Sequence, residues 1–121
     1  MAVRGIRGAI SVEKNSPDKI KQATQALIQE IIMENEIITE DIISVFFSTT
    51  SDLNADFPAR CAREWGWTSV PMMCTVEIDV PGSIQSIIRV LMLVNTEKLQ
   101  KDIKHVYLKN AVKLRPDLVS R

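Results

Sequence analysis

One long amphipathic helix stands against several apolar, strand-like segments in this chain, and that imbalance restricts its architecture more than any other feature. The helix has the clearest signals. Ser16 can cap it, Pro17 suits the first helical position, and Asp18 suits the positive end of the helix dipole. Ile20, Ala23, Thr24, Leu27, Ile28 and Ile31 keep one apolar face, while Lys19, Gln22, Gln25 and Gln29 stay outside. The pattern predicts a packing helix, without chemistry of its own, that ends near Asn35. Around it lie Val3–Val12, a strand interrupted by Gly5 and Gly8, and Asp41–Thr50, which is β-branched and aromatic. Val70–Val76 is a short extended segment and Ser86–Asn95 a long apolar run, and His105–Leu114 holds one or two short strands around Lys109-Asn110. A short second helix fits Pro58–Glu64, signalled by Asp56 or its neighbour and ended by Gly66.

The order strand, helix, strand, helix, then strands predicts an α/β chain, with one mixed sheet and helices on one face. One long helix is thin cover for so many apolar strands. The uncovered face of such a small sheet points to oligomerisation, with cyclic symmetry as the usual solution. At 121 residues the chain fits a single domain, residues 1–121. Glycine inside a strand often marks a bulge, or a place where a ligand or another backbone comes close. Arg7, between Gly5 and Gly8, therefore suggests that the first strand borders a site.

Several function classes are disfavoured. Fifteen basic and fifteen acidic side chains cancel, leaving no basic footprint for nucleic acid and no net attraction to an anionic membrane surface. No apolar run approaches the roughly 18 residues of a membrane span, and MAVRGIRGAI lacks the apolar core of a secretory signal. Cys61 and Cys74 are too few for a disulfide framework, so the expectation is reduced thiols in the cytoplasm. His105 is the single histidine, and without paired Cys/His spacing no metal site and no cofactor is expected. His105 would also have to be the base of any serine triad, and no nucleophile elbow accompanies it.

Arg89 is the most informative charge. In IIRVLMLV, alternation groups Ile87, Arg89, Leu91 and Leu93 on one side, and Ile88, Val90, Met92 and Val94 on the other. A guanidinium in such apolar company calls for an anionic partner. It can be a structural ion pair with Glu77 or Asp79, or it can serve an anion or polar-oxygen site at the end of the sheet. Glu77, in CTVEIDV, can partner an arginine or accept a hydrogen bond from a substrate hydroxyl. Tyr107, in HVYL, can be a core residue or a phenol donor. Arg60 and Arg63 are neighbours on one helix face. Cys74 lacks the basic partner of a nucleophile, and Trp65 and Trp67 are expected to pack the helix end. Several arginines, one carboxylate and one phenol suit a small dianion and fixed electrostatic stabilisation better than covalent or proton-shuttling chemistry.

RGIRGA at 4–9, DFPARCARE at 56–64, VP…C…EIDV at 70–80, IRV at 88–90, HVYL at 105–108 and LRPDL at 114–118 together resemble the monofunctional trimeric chorismate mutases. The fragments run colinearly over nearly the whole chain. The resemblance implies rearrangement of chorismate to prephenate, toward phenylalanine and tyrosine. It also implies a cofactor-free homotrimer forming a pseudo-barrel, with active sites between neighbouring subunits. By the same resemblance Arg7 and Tyr107 would bind a substrate carboxylate. Arg89 would sit by the ether oxygen of the breaking bond and also contact a carboxylate, and Glu77 would accept from the ring hydroxyl beside Cys74. Phe57 and Ala59 would shape an apolar wall, with Arg63, Leu114 and Arg115 at the rim. Arg60 stands where the family pattern has lysine, and Met72-Met73 where it has smaller or polar side chains near the site. Two other functions fit the same charges: an imine-deaminase-like trimer and a non-catalytic sensor of small carboxylates.

Overall fold

The computed structural model describes residues 1–118, so the last three residues of the expected domain, Arg121 among them, lie outside the described residues. Five strands, β1 (Ala2–Ser11), β2 (Ile42–Thr49), β3 (Met72–Val76), β4 (Ile87–Thr96) and β5 (Val106–Leu108), form one sheet in the order β3-β2-β4-β1-β5. Two helices, α1 (Pro17–Asn35) and α2 (Pro58–Trp65), accompany it. β4 lies antiparallel to both β1 and β2, whereas β2 and β3, and β1 and β5, pair in parallel. α1 thus carries the chain from β1 to β2, and α2 from β2 to the parallel β3, in the same direction across the sheet. The right-handed rule for such crossovers then puts both helices on one face. The single-sided cover expected from the sequence is a consequence of this winding.

The helix signals are used as anticipated. Ser16 Oγ accepts the Lys19 N–H at 3.2 Å, Pro17 opens α1, and Ile20, Ala23, Thr24, Leu27, Ile28 and Ile31 are buried. They pack on Ile6, Ile10, Val45, Phe47, Ile88, Val90, Met92 and Val94, the inner positions of the three longest strands and the main core of the molecule. α2 joins this layer through Cys61 and Ala62, and Gln25 Nε2 donates to the Cys61 carbonyl at 3.1 Å. Burial, followed by the carboxylates of Asp56 and Glu64, pushes the Cys61 thiol up to about 11, so it stays protonated and acts as a small apolar side chain.

Asn35 ties the end of α1 to the far side of the sheet. It is 4% exposed. Its amide donates to the Ile31 and Lys104 carbonyls at 3.0 and 2.9 Å, and its Oδ1 accepts the Lys104 N–H at 2.8 Å. Asn35→Ala would leave main-chain groups of Lys104 without partners. A loss of about 2–3 kcal/mol is expected, measured as a lower urea midpoint at unchanged slope.

Three expectations are corrected. The strand around Lys109-Asn110 does not form: Lys109 takes a left-handed φ of 54°, and Lys109–Lys113 is a 3-10 helix after β5. Gly5 and Gly8 mark no bulge, because β1 pairs continuously with β4 from Ala2 to Ser11, and the register shift lies in β2 between Ile42 and Ser44. What comes close at Gly8 is the helix: a Cβ there would stand 2.8 Å from Ile31 Cδ1, 3.0 Å from Val90 Cγ1 and 3.2 Å from Leu27 Cδ1. Finally, Arg89 is not enclosed by its apolar neighbours. It lies on the sheet face opposite the helices, with 41% of its side chain exposed.

No helix among the described residues is long and apolar enough to cross a membrane.

Candidate active site

The helix-free face of the sheet assembles the charges that the sequence singled out. Strand alternation and register put Arg7, Ala9, Arg89 and Tyr107 on this face, with Ala9 opposite Arg89 on one side and opposite Tyr107 on the other. Arg7 is two residues along β1 and exposed. Ala9, between the two larger side chains, is fully buried. Tyr107 is buried with Ala9, Ile87 and Ala111 in a second, smaller apolar cluster, against which Ile84 and Leu114 pack. The 3-10 helix after β5 closes over that cluster, so the C-terminal segment shapes this end of the face.

Arg89 Nε lies 3.4 Å from Glu77 Oε1. With 41% and 28% of the two side chains exposed, such a pair contributes roughly 0–1 kcal/mol to stability. Its stronger effect is orientation. The contact engages Nε, so the terminal guanidinium nitrogens can face outward from the sheet. Glu77 is itself fixed just past the end of β3, where its N–H donates to the Thr49 carbonyl at 2.8 Å. Of the two candidate partners, Glu77 and not Asp79 makes the pair.

The start of β4 is anchored separately. The Asp52 carboxylate accepts the Ser86 N–H at 3.2 Å and its hydroxyl at 2.8 Å, holding Ser86 at a left-handed φ of 60° immediately before Ile87. Burial would raise the Asp52 pKa, but hydrogen bonds from Thr50 and Ser86 outweigh it and hold the group below its ordinary value.

Phe57, Ala59, Arg60 and Cys74 gather at the outer edge, between β3 and α2. A cleft of about 340 Å³ is lined by Phe57, Pro58, Arg60, Cys74, Thr75 and Val76, among others. Phe57 is 64% exposed at the mouth of α2. The Ala59 N–H donates to Cys74 Sγ at 3.4 Å, and Arg60 lies 3.8 Å from Asp56. Arg63 is exposed on α2 and does not line the cleft. Of the methionine pair, Met72 packs against the main core, whereas Met73 is 55% exposed. Arg115 is held by Asp117 through two bonds of 3.0 and 2.8 Å. Trp65 and Trp67 meet edge to face at 6.0 Å and close the end of α2, as expected.

A second cavity of about 330 Å³ lies at the other end of the sheet, lined by Glu36, Asp41, Glu97 and Lys98. Lys98 is committed there to the Asn35 carbonyl and to Glu36. Three carboxylates against two ammonium groups, Lys98 and the amino terminus 3.7 Å from Glu97, make that cavity a poor host for a dianion. The Arg7–Arg89–Tyr107 face has the opposite character.

Sequence reasoning missed two features of the site. The Asp52–Ser86 clamp leaves no motif, and His105, weighed as a metal ligand and as a triad base, accepts the Arg7 main-chain N–H at its Nδ1, 2.9 Å away. Local sequence does not signal a side chain that completes a strand edge 98 residues away.

The family described as chorismate mutase type I matches residues 3–118. The chain is 47% identical to chorismate mutase AroH of Bacillus subtilis (strain 168) over 119 residues, covering 98% of this chain and 94% of that protein. It is 48% identical to chorismate mutase AroH of Thermus thermophilus, over 98% of each chain. Among solved structures it is similar to a chorismate mutase from Clostridium thermocellum, with a TM-score of 0.87 and 53% identity over 88% of this chain and 96% of that one.

Proposed function

The chain belongs to the chorismate mutase type I family, and we propose that it converts chorismate to prephenate in a cleft completed by a second copy of itself. The observation that carries this reading is the Arg89–Glu77 pair on an open, arginine-bearing sheet face. The reaction is an intramolecular rearrangement: the ether C–O bond breaks as a new C–C bond forms. It requires no external acid, base or nucleophile. What remains is positioning of a flexible side arm over the ring, and stabilisation of negative charge on the departing oxygen.

Arg7 and Tyr107 would hold one substrate carboxylate from either side of the strand edge. Arg89, steadied by Glu77 at Nε, would direct its terminal nitrogens to the ether oxygen and the other carboxylate. Glu77 would accept from the ring hydroxyl. Phe57 and Ala59, with Cys74 adjacent, would form the apolar wall with Arg60 beside them, whereas Met73 lies on the open face. Arg63, Leu114 and Arg115 would form the rim. Met72 would contribute only from behind, through the packing of β3.

Two groups of residues, one on the open face and one in the edge cleft, support a site shared between copies. Apolar exposure supports the same arrangement. Phe46, Leu91 and Met73 are 39%, 41% and 55% exposed on the open face. At the end of β3 and past it, Val76, Ile78 and Val80 are 68%, 85% and 54% exposed. Patches of this kind are covered in a stable protein, and a homotrimer would cover them. Two free thiols fit a cytoplasmic enzyme.

The test is to incubate the purified protein with chorismate and follow its loss together with the appearance of prephenate. Sedimentation should give a mass three times that of one chain. Leu91→Asp, which sets a charge in the proposed contact, should lower both the mass and the turnover. Binding without conversion would instead indicate a carboxylate sensor, and neither binding nor conversion would favour a deaminase-like activity.

A further inference from the structure

His105 sits where the β1–β5 ladder runs out. The two strands pair from Gly8 with Val106 to Ile10 with Leu108. One step earlier, the outward N–H of Arg7 has no strand to meet, and the His105 ring accepts it through Nδ1 at 2.9 Å. Gln100 does the same for Gly5, accepting its N–H at 3.0 Å and donating to its carbonyl at 2.7 Å. Side chains thus complete the edge of β1 along the stretch that carries Arg7.

We propose that His105 is a positioning residue for Arg7, fixing its backbone through a bond that only the neutral imidazole can make. The proposal rests on the carboxylate-binding role of Arg7 given above. An acceptor at Nδ1 requires the tautomer with its proton on Nε2. Protonation turns Nδ1 into a donor facing a donor, and adds a cation beside a guanidinium. The charged groups that act on the ring are Arg7 from β1 and Arg115 from the C-terminal segment, the latter bonded to Asp117. Burial first, then these two cations, keep the ring below its ordinary value of 6.5. The folded pKa is therefore the lower one. The bond and its stabilisation are intact above the unfolded value and are lost as pH falls through the lowered folded value.

The expected signature is an acid limb in kcat/KM, which reports the free enzyme, beginning below pH 6.5 and carried by KM more than by kcat. His105→Asn keeps an acceptor near the Nδ1 position but cannot titrate. It should hold kcat/KM within about threefold of the wild type near neutral pH and lose the acid limb. His105→Leu removes the acceptor and should raise KM about tenfold at every pH, with kcat within about twofold. An unchanged KM in His105→Leu, or an undiminished acid limb in His105→Asn, overturns the proposal. A wild-type measurement covers the case in which the variants do not fold: the Arg7 amide resonance should titrate together with the His105 ring, and an amide indifferent to the ring overturns it equally. If the wild type fails to convert chorismate, the functional reading falls, and the shared titration still decides the positioning role.

Discussion

Arg89→Ala is expected to lower kcat by about 10²–10³-fold, the usual cost of removing one preorganised donor from a developing oxyanion, while the protein stays folded. The size follows from the reaction. With no proton to transfer and no covalent intermediate to form, a guanidinium at the ether oxygen, the place proposed for Arg89, would be a large part of the stabilisation available. The fold should survive, because 41% of the side chain is exposed and its pair with Glu77 contributes little to stability. Arg89→Lys should recover only part of the rate, since an ammonium holds all its donors on one atom and cannot touch Glu77 at one position while presenting a planar pair of donors at another. Steady-state kinetics on both variants, with thermal melting as the control, checks the assignment. Near-normal turnover in Arg89→Ala would remove Arg89 from the reacting centre and leave it as a structural ion pair.

Gly8→Val should be the most damaging single change to the fold among small substitutions in β1. The added Cβ would stand 2.8 Å from Ile31 Cδ1 and 3.0 Å from Val90 Cγ1. The isoleucine tip can shift, but the valine is branched and held in a strand, and the two new methyl groups extend into the same space. Overpacking of this kind costs about 3 kcal/mol, enough to lower the midpoint of thermal unfolding by roughly 10 °C in a domain of this size. Differential scanning calorimetry reads the shift directly. A melting temperature within a degree of the wild type would mean that α1 does not pack against β1 as closely as described.

Much of the architecture was legible because it depends on local patterns. Ser16, Pro17 and the Ile20–Leu27–Ile31 stripe specify α1 within one segment, and alternation in IIRVLMLV separates Met92 from Arg89 without reference to any other strand. The Lys109-Asn110 strand was misread because β-propensity does not register a left-handed φ, which here lets the chain turn and cover Tyr107. Gly8 is ambiguous in the sequence for a similar reason: a missing side chain looks the same whether a bulge, a ligand or a helix requires the space.

The sequence by itself determined the kinds of chemistry on offer. Several arginines, one carboxylate and one phenol in a chain of zero net charge suit a small dianion better than covalent chemistry. The colinear fragments named the family. Only the tertiary structure decided how these residues combine. Both crossovers wind the same way, so one sheet face is left bare, and Arg7, Arg89 and Tyr107 come to lie on it around Ala9. Arg89 meets Glu77 and not Asp79 because of where β3 ends, and His105 meets Arg7 because β5 begins one residue too late to do so. Such relations depend on register and strand order, which are set by packing over the whole chain rather than by any segment of it.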